Sequence, residues 1–168
     1  MSYCTECGNE LVMRQNGLEG EAPYCERCGA FRFPRYNVAV IVIVMNPAKD
    51  KVILIQQYGR TENILVAGYV NKGESLEEGL TREIKEELGL NVTVCRYMRS
   101  KYFEKSNTLM CNYIAVVDDE NLDGINYEID RLAWFTFDEA RACVKPGSLA
   151  KEFLLQALKE VEDGTCAL

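Results

Sequence analysis

The run Val38-Ala-Val-Ile-Val-Ile-Val-Met45 is apolar without a break and mostly β-branched. Successive residues of a strand point to opposite faces, so a strand apolar at every position must be covered on both sides. The run therefore predicts a central strand over residues 37–45, in a sheet sandwiched between two further layers. Asn46-Pro-Ala-Lys-Asp50 is turn chemistry, and residues 51–58 read as the returning strand. A short strand follows at 64–67, then a glycine-punctuated loop from Gly68 to Glu74. Ser75 and Glu78 form a capping-box pattern that opens a helix, and Gly89 stands where a left-handed residue closes one. Strands are predicted over 92–103, 108–117 and 132–137. Asp138 is expected to cap a short helix reaching about Val144. Pro146-Gly147 breaks the chain, Ser148 caps a final helix to about Val161, and residues 162–168 read as a frayed tail.

The formal charge is −7. A chain this acidic has no general electrostatic grip on nucleic acid, and an anionic substrate would need metal ions or local Arg and Lys. Histidine is absent, which excludes a Ser-His-Asp triad, a Cys-His pair and a His-ligated catalytic zinc. Acid–base and metal chemistry then fall to carboxylates, Lys, Tyr or Cys. No apolar run reaches the ~20 residues that span a bilayer, and no basic-then-apolar leader opens the chain, so the expectation is a cytoplasmic protein.

Cys4-x-x-Cys7 and Cys25-x-x-Cys28 are two matched knuckles, each followed by glycine. Four thiolates in two tight turns supply the tetrahedral set of a structural zinc site. The surrounding residues have too little apolar content to form a core, so Zn²⁺ is expected to stabilise a ribbon over residues 1–35. Cys95, Cys111, Cys143 and Cys166 are isolated and read as small apolar residues.

In the capped helix, Leu76, Leu80, Ile84 and Leu88 recur every four residues and form one apolar seam. Glu83, Glu86 and Glu87 stand at i, i+3 and i+4, which gathers their carboxylates on a neighbouring, exposed face where they repel one another. Coordination of a hard cation, Mg²⁺ or Mn²⁺, would turn that repulsion into binding. Alone, such a cluster is an ordinary solvated helix face. The segment from Gly68 to Leu90, however, resembles the Nudix box, G-x5-E-x7-R-E-U-x-E-E-x-G-U with U aliphatic. Gly68, Glu74, Arg82, Glu83, Ile84, Glu86, Glu87, Gly89 and Leu90 fill every fixed position. At residue frequencies of roughly 5–7% per type, a chance match has odds of about one in ten million.

The resemblance implies an α+β fold, the Nudix αβα sandwich with a mixed sheet over residues 36–168, preceded by the four-Cys zinc ribbon. It implies metal binding by Glu83, Glu86 and Glu87, a structural Arg82–Glu74 pair, and attack of metal-activated water on a diphosphate. Ribbon plus box is similar to the NADH pyrophosphatase subfamily, which adds several expectations. Phe33-Pro-Arg35 matches the run entering the catalytic domain, and Leu65 to Val70 matches L-A-G-F-V. Ala67 then offers a metal-ligand carbonyl, and Tyr69 and Phe33 offer rings to a substrate. Glu128, six residues before Trp134, falls at a further metal position. Pro146-Gly-Ser-Leu-Ala150 matches P-G-T-V-A, whose last residue, here Ala150, contacts the nucleotide.

One run departs from that subfamily. Its S-Q-P-W-P-F-P-x-S-L-M aligns with Ser100 to Met110, where Gln, Trp and all three prolines are replaced. Lys101, Tyr102 and Phe103 form a different candidate wall. The expected substrates are NADH or NAD, ADP-ribose, related nucleoside diphosphate derivatives, or a nucleotide-capped RNA end. A homodimer is implied by the resemblance. The alternative is a catalytically weak Nudix fold that binds nucleotide or RNA in a regulatory role. Against RNA binding by the ribbon, its Arg14, Arg27 and Arg32 face Glu6, Glu10, Glu19, Glu21 and Glu26.

Overall fold

The computed structural model describes residues 2–123, 129–166 and 168, and the chain divides into two compact units, Met1–Tyr36 and Asn37–Leu168.

The N-terminal unit is a three-stranded antiparallel sheet in the order β1 (Val12–Gln15), β2 (Glu21–Cys25), β3 (Ala30–Phe31). Among its described residues only Cys4 and Cys25 are buried hydrophobics, while Tyr3, Val12, Met13, Leu18 and Phe33 are exposed. Two cysteine side chains, and no aliphatic or aromatic ones, are thus the buried apolar groups among the described residues of this unit. Edge-on packing of Tyr24 and Phe31, and Arg14 over the Tyr24 ring, hold the small sheet together.

The larger unit is organised on β4 (Asn37–Met45). The sheet runs β7 (Val92–Phe103), β8 (Thr108–Val117), β4, β5 (Lys51–Gln57), β9 (Ile129–Thr136). β4 lies parallel to β8 along its whole length and antiparallel to its other partners, so the sheet is mixed. Along its second edge β4 forks. Ala39–Val42 pair with β6 (Val66–Tyr69), whereas Met45 pairs with Val52 of β5.

Alternate residues of β4 enter two cores, as the period of a strand requires. Val40, Val42 and Val44 pack with Leu80, Ile84 and Leu88 of α1 (Leu76–Leu88). Ile41, Ile43 and Met45 pack with Phe153, Leu154, Ala157 and Leu158 of α3 (Leu149–Glu162) and with Ala140 of α2 (Phe137–Cys143). This is the αβα sandwich. Each of the three fully buried α1 side chains contributes about 1.5–3 kcal/mol of transfer free energy, which fixes the helix on the sheet.

Four local expectations need correction. The short strand is Val66–Tyr69, and Ile64 makes only an isolated bridge to Ile55. Pairing of Gly68 with Val40 and of Tyr69 with Ala39 draws these two residues out of the loop and into the sheet. The cap of α2 is Thr136, whose hydroxyl accepts from the Glu139 amide while the Glu139 carboxylate accepts from the Thr136 amide. Asp138 instead sits in the first turn, paired with Arg141. β9 begins at Ile129, three residues early, because Gln57 and Gln56 of β5 pair with Ile129 and Arg131. Finally, the tail folds back. Thr165 and Cys166 donate their amides to the Glu160 carbonyl, and Cys166 is buried in the α2/α3 core.

Candidate active site

Gly68 at the end of β6 and Glu83 in the middle of α1 meet face to face. A Cβ on Gly68 would lie 1.9 Å from Glu83 Cδ, so only glycine leaves room for this carboxyl group. The loop between the two elements is clamped by Arg82. Its Nε donates to Glu74 Oε1 at 2.7 Å and its Nη2 to Glu74 Oε2 at 3.0 Å, a bidentate pair. The same Nη2 reaches the Tyr69 carbonyl at 3.0 Å, and Nη1 contacts Glu83 at 2.7 Å and Glu86 at 3.2 Å. Arg82 thus ties strand end, loop and two helix carboxylates together. The Asn71 amide also donates to Glu74, at 2.8 Å. Hydrogen bonds from Arg82 and Asn71 hold the Glu74 carboxyl down to about 2.

Glu87 departs from expectation. It is 4% exposed, and its Oε1 accepts a 3.2 Å bond from the amide of Gln57, itself buried at the end of β5. The i, i+3, i+4 spacing placed all three carboxylates on an exposed face. The packing of α1 against the sheet instead turns Glu87 inward and leaves Glu86 on the rim, with 57% of its side chain exposed.

Several of these groups border a cavity of about 480 Å³. Glu83, Glu87, Arg82, Ala67 and Gly68 form its polar side, and Tyr58, Tyr69 and Phe103 contribute rings. Among the residues singled out from sequence, Ala67, Tyr69, Glu83, Glu87 and Phe103 are thereby brought together. Lys101, Tyr102 and Ala150 do not line it. Lys101 donates to both carboxylate oxygens of Glu152, at 2.6 and 2.9 Å, and borders with Phe103 a neighbouring cleft of about 450 Å³. The Tyr102 hydroxyl donates to Asn107 Oδ1 at 2.7 Å. Ala150 is buried in the first turn of α3 and packs into the core. Phe33 belongs to the N-terminal unit, stacked with Phe31 at 6.4 Å. Glu128 lies outside the described residues. Sequence reasoning missed Tyr58, which borders the cavity, and Gln57, which holds Glu87, because nothing local to a strand end reveals what it meets in the fold.

The carboxylates and the Ala67 carbonyl are hard oxygen donors of the type that divalent Mg²⁺ and Mn²⁺ take. The Gly68 cradle and the hydrogen bond to the buried Glu87 hold two of them in place, so the donors suit such an ion by type, although among the described residues only the four cysteines gather within 4.8 Å of one another.

In the N-terminal unit the Sγ atoms of Cys4, Cys7, Cys25 and Cys28 all fall within 4.8 Å of one another, and no disulfide joins them. Cys7 and Cys25 are 3.5 Å apart and Cys4 and Cys28 3.9 Å. Thiolates at ~2.3 Å around a tetrahedral ion would be separated by about 3.8 Å, so this cluster could hold a metal ion. Burial opposes ionisation of Cys4, but hydrogen bonds, led by Arg32 Nε at 3.2 Å, bring its thiol down to about 6.

Known proteins resemble this chain. The NUDIX domain family model matches residues 35–155. The NAD-capped RNA hydrolase NudC of Vibrio vulnificus is 30% identical over 161 residues, covering 94% of this chain and 59% of the relative. NudC of Mycobacterium tuberculosis is 40% identical over 122 residues, covering 71% of this chain and 39% of its own. The chain thus spans about three fifths or less of these relatives' length. A NUDIX hydrolase from Nitrosomonas europaea superposes with a TM-score of 0.65 at 21% identity, over 98% of this chain and 94% of the other. The NUDIX domain of Shewanella oneidensis NrtR, solved with ADP ribose, gives 0.62 at 14% identity, over 85% and 94%.

Proposed function

The chain belongs to the Nudix family, and on that premise we propose that it hydrolyses the diphosphate linkage of a nucleoside diphosphate derivative. The observation that carries this reading is the wall of the 480 Å³ cavity, where the Arg82-tethered Glu83 and the buried Glu87 stand beside three aromatic rings. Glu83, Glu86 and Glu87, with the Ala67 carbonyl and Glu128, would hold Mg²⁺ or Mn²⁺. Such ions, when bound, make hydroxide available near neutral pH and neutralise charge on the phosphates.

The chain's own residues do the positioning. Arg82 keeps Glu83 and Glu86 from splaying apart, and Glu74 holds Arg82 in turn. Gln57 sets the orientation of the buried Glu87 carboxylate. Tyr69 and Phe103 offer ring faces to a base, where stacking is tolerant of the base's identity. Zn²⁺ on the four cysteines gives the N-terminal unit the interior that its sequence does not supply. A homodimer in the cytoplasm completes the reading, and eight unbridged cysteines suit a reducing compartment.

NADH or NAD, ADP-ribose and a nucleotide-capped RNA end are the substrates in view, the last because the similar Vibrio and Mycobacterium proteins are NAD-capped RNA hydrolases. No proline stiffens the segment from Ser100 to Met110. Without a locked wall, discrimination shrinks, and NADH should be preferred over ADP-ribose by less than about tenfold in kcat/KM, roughly 1.4 kcal/mol. The test is a nucleotide panel with Mg²⁺ and with Mn²⁺, products separated by chromatography, wild type beside Glu87→Gln. Failure of every nucleotide to be cleaved faster by wild type than by the variant refutes the reading.

A further inference from the structure

β5 leaves the sheet through a turn whose backbone does not suit its sequence. The Arg60 amide donates to the Gln57 carbonyl at 3.1 Å, and the two residues between them have φ of 58° (Tyr58) and 68° (Gly59). Positive φ at both central positions is the pattern of a type I′ turn, which favours Asn-Gly or Gly-Gly. A tyrosine there pays for its Cβ in backbone strain. Nor does its ring recover the cost by packing, since Tyr58 is 73% exposed. The turn is nonetheless held firmly. Asp130, the extra residue where β9 slips register against β5, accepts a 2.6 Å bond from the Gly59 amide, and Gln57 is tied to Glu87. A strained, exposed ring on a fixed turn borders the same cavity as Tyr69, Glu83 and Glu87.

We propose that Tyr58 is a specificity-determining residue that stacks on the heteroaromatic ring of a nucleotide in this cavity, the strained turn serving to present it. The inference rests on the reading of the cavity as a nucleotide site. Its ring adds a stacking face beyond those of Tyr69 and Phe103, and it is fixed relative to Glu87 through the single residue Gln57.

Tyr58→Asn removes the ring while giving the turn a residue it prefers, so function and stability should move in opposite directions. The probes are AMP, which carries a ring, and ribose 5-phosphate, which does not, with binding measured by calorimetry. Tyr58→Asn should weaken AMP at least about fivefold more than ribose 5-phosphate, and melt at or above the wild-type temperature. Tyr58→Phe, which keeps the ring face, should bind AMP as wild type does. A smaller difference between the two ligands, a lower melting temperature for Tyr58→Asn, or loss of AMP binding in Tyr58→Phe overturns the proposal. If wild type cleaves ADP-ribose while Tyr58→Asn is unchanged, only the role of the ring fails. If wild type neither binds AMP nor cleaves a nucleotide diphosphate, the proposed function falls and this inference with it.

Discussion

Replacing Gly68 by alanine should separate catalysis from stability. The new Cβ would sit 1.9 Å from Glu83 Cδ and 2.2 and 2.3 Å from its two oxygens. Ordinary contact begins near 3.4 Å, so the carboxyl group must retreat by about 1.5 Å. It is the far end of a flexible side chain and can do so without unfolding anything. The retreat breaks the 2.7 Å contact with Arg82 Nη1, while Arg82 keeps its bonds to Glu74 and Glu86, so the loss is about 1 kcal/mol. A loss of that size lowers the melting temperature by about 2–4 °C in a chain of this length. Displacement of a reacting group by about 1 Å can cost 10²-fold in rate, or roughly 2.7 kcal/mol. Gly68→Ala should therefore lose about a hundredfold in kcat/KM on ADP-ribose while melting within a few degrees of wild type. A variant retaining more than about a third of wild-type activity would show that Glu83 does not work from the Gly68 cradle.

Three other outcomes are expected. Glu87→Gln should lower kcat by orders of magnitude yet remain folded, since a glutamine oxygen can still accept the Gln57 amide; more than about a tenth of wild-type rate at saturating metal contradicts the assignment. Elemental analysis of protein purified without added metal should find one zinc per chain on Cys4, Cys7, Cys25 and Cys28, and absence of zinc together with disulfides between these residues would overturn it. Glu74 is held near 2, below its ordinary value of 4.5, so its stabilising contribution is complete above that ordinary value and is lost as pH falls from there toward 2. Acid titration should show Glu74→Gln losing less stability across that window than wild type, and identical acid profiles would refute the claim.

Much of this molecule is written in local periodicity. The unbroken apolar run of β4 could be satisfied only by two covering layers, and it has them. Ser75, Glu78 and Gly89 bound α1 where capping chemistry puts the ends of a helix, because those bonds close within three or four residues. The Nudix box spacing pairs Arg82 with Glu74 across one loop, again a short-range matter.

What sequence alone left undecided depends on partners distant along the chain. Gly68 and Tyr69 are strand because β4 lies beside them. Glu87 is buried because Gln57, thirty residues earlier, meets α1 across the sheet. Lys101 faces Glu152 rather than the cavity, and Cys166 closes onto a core whose other members lie throughout the chain. Tyr58 reads as the end of a strand until the turn and the cavity are both in place. Helix and strand signals are carried by bonds and contacts a few residues apart, so sequence determines them. Burial and the direction a side chain faces are set by which surfaces meet, and that only the tertiary structure decides.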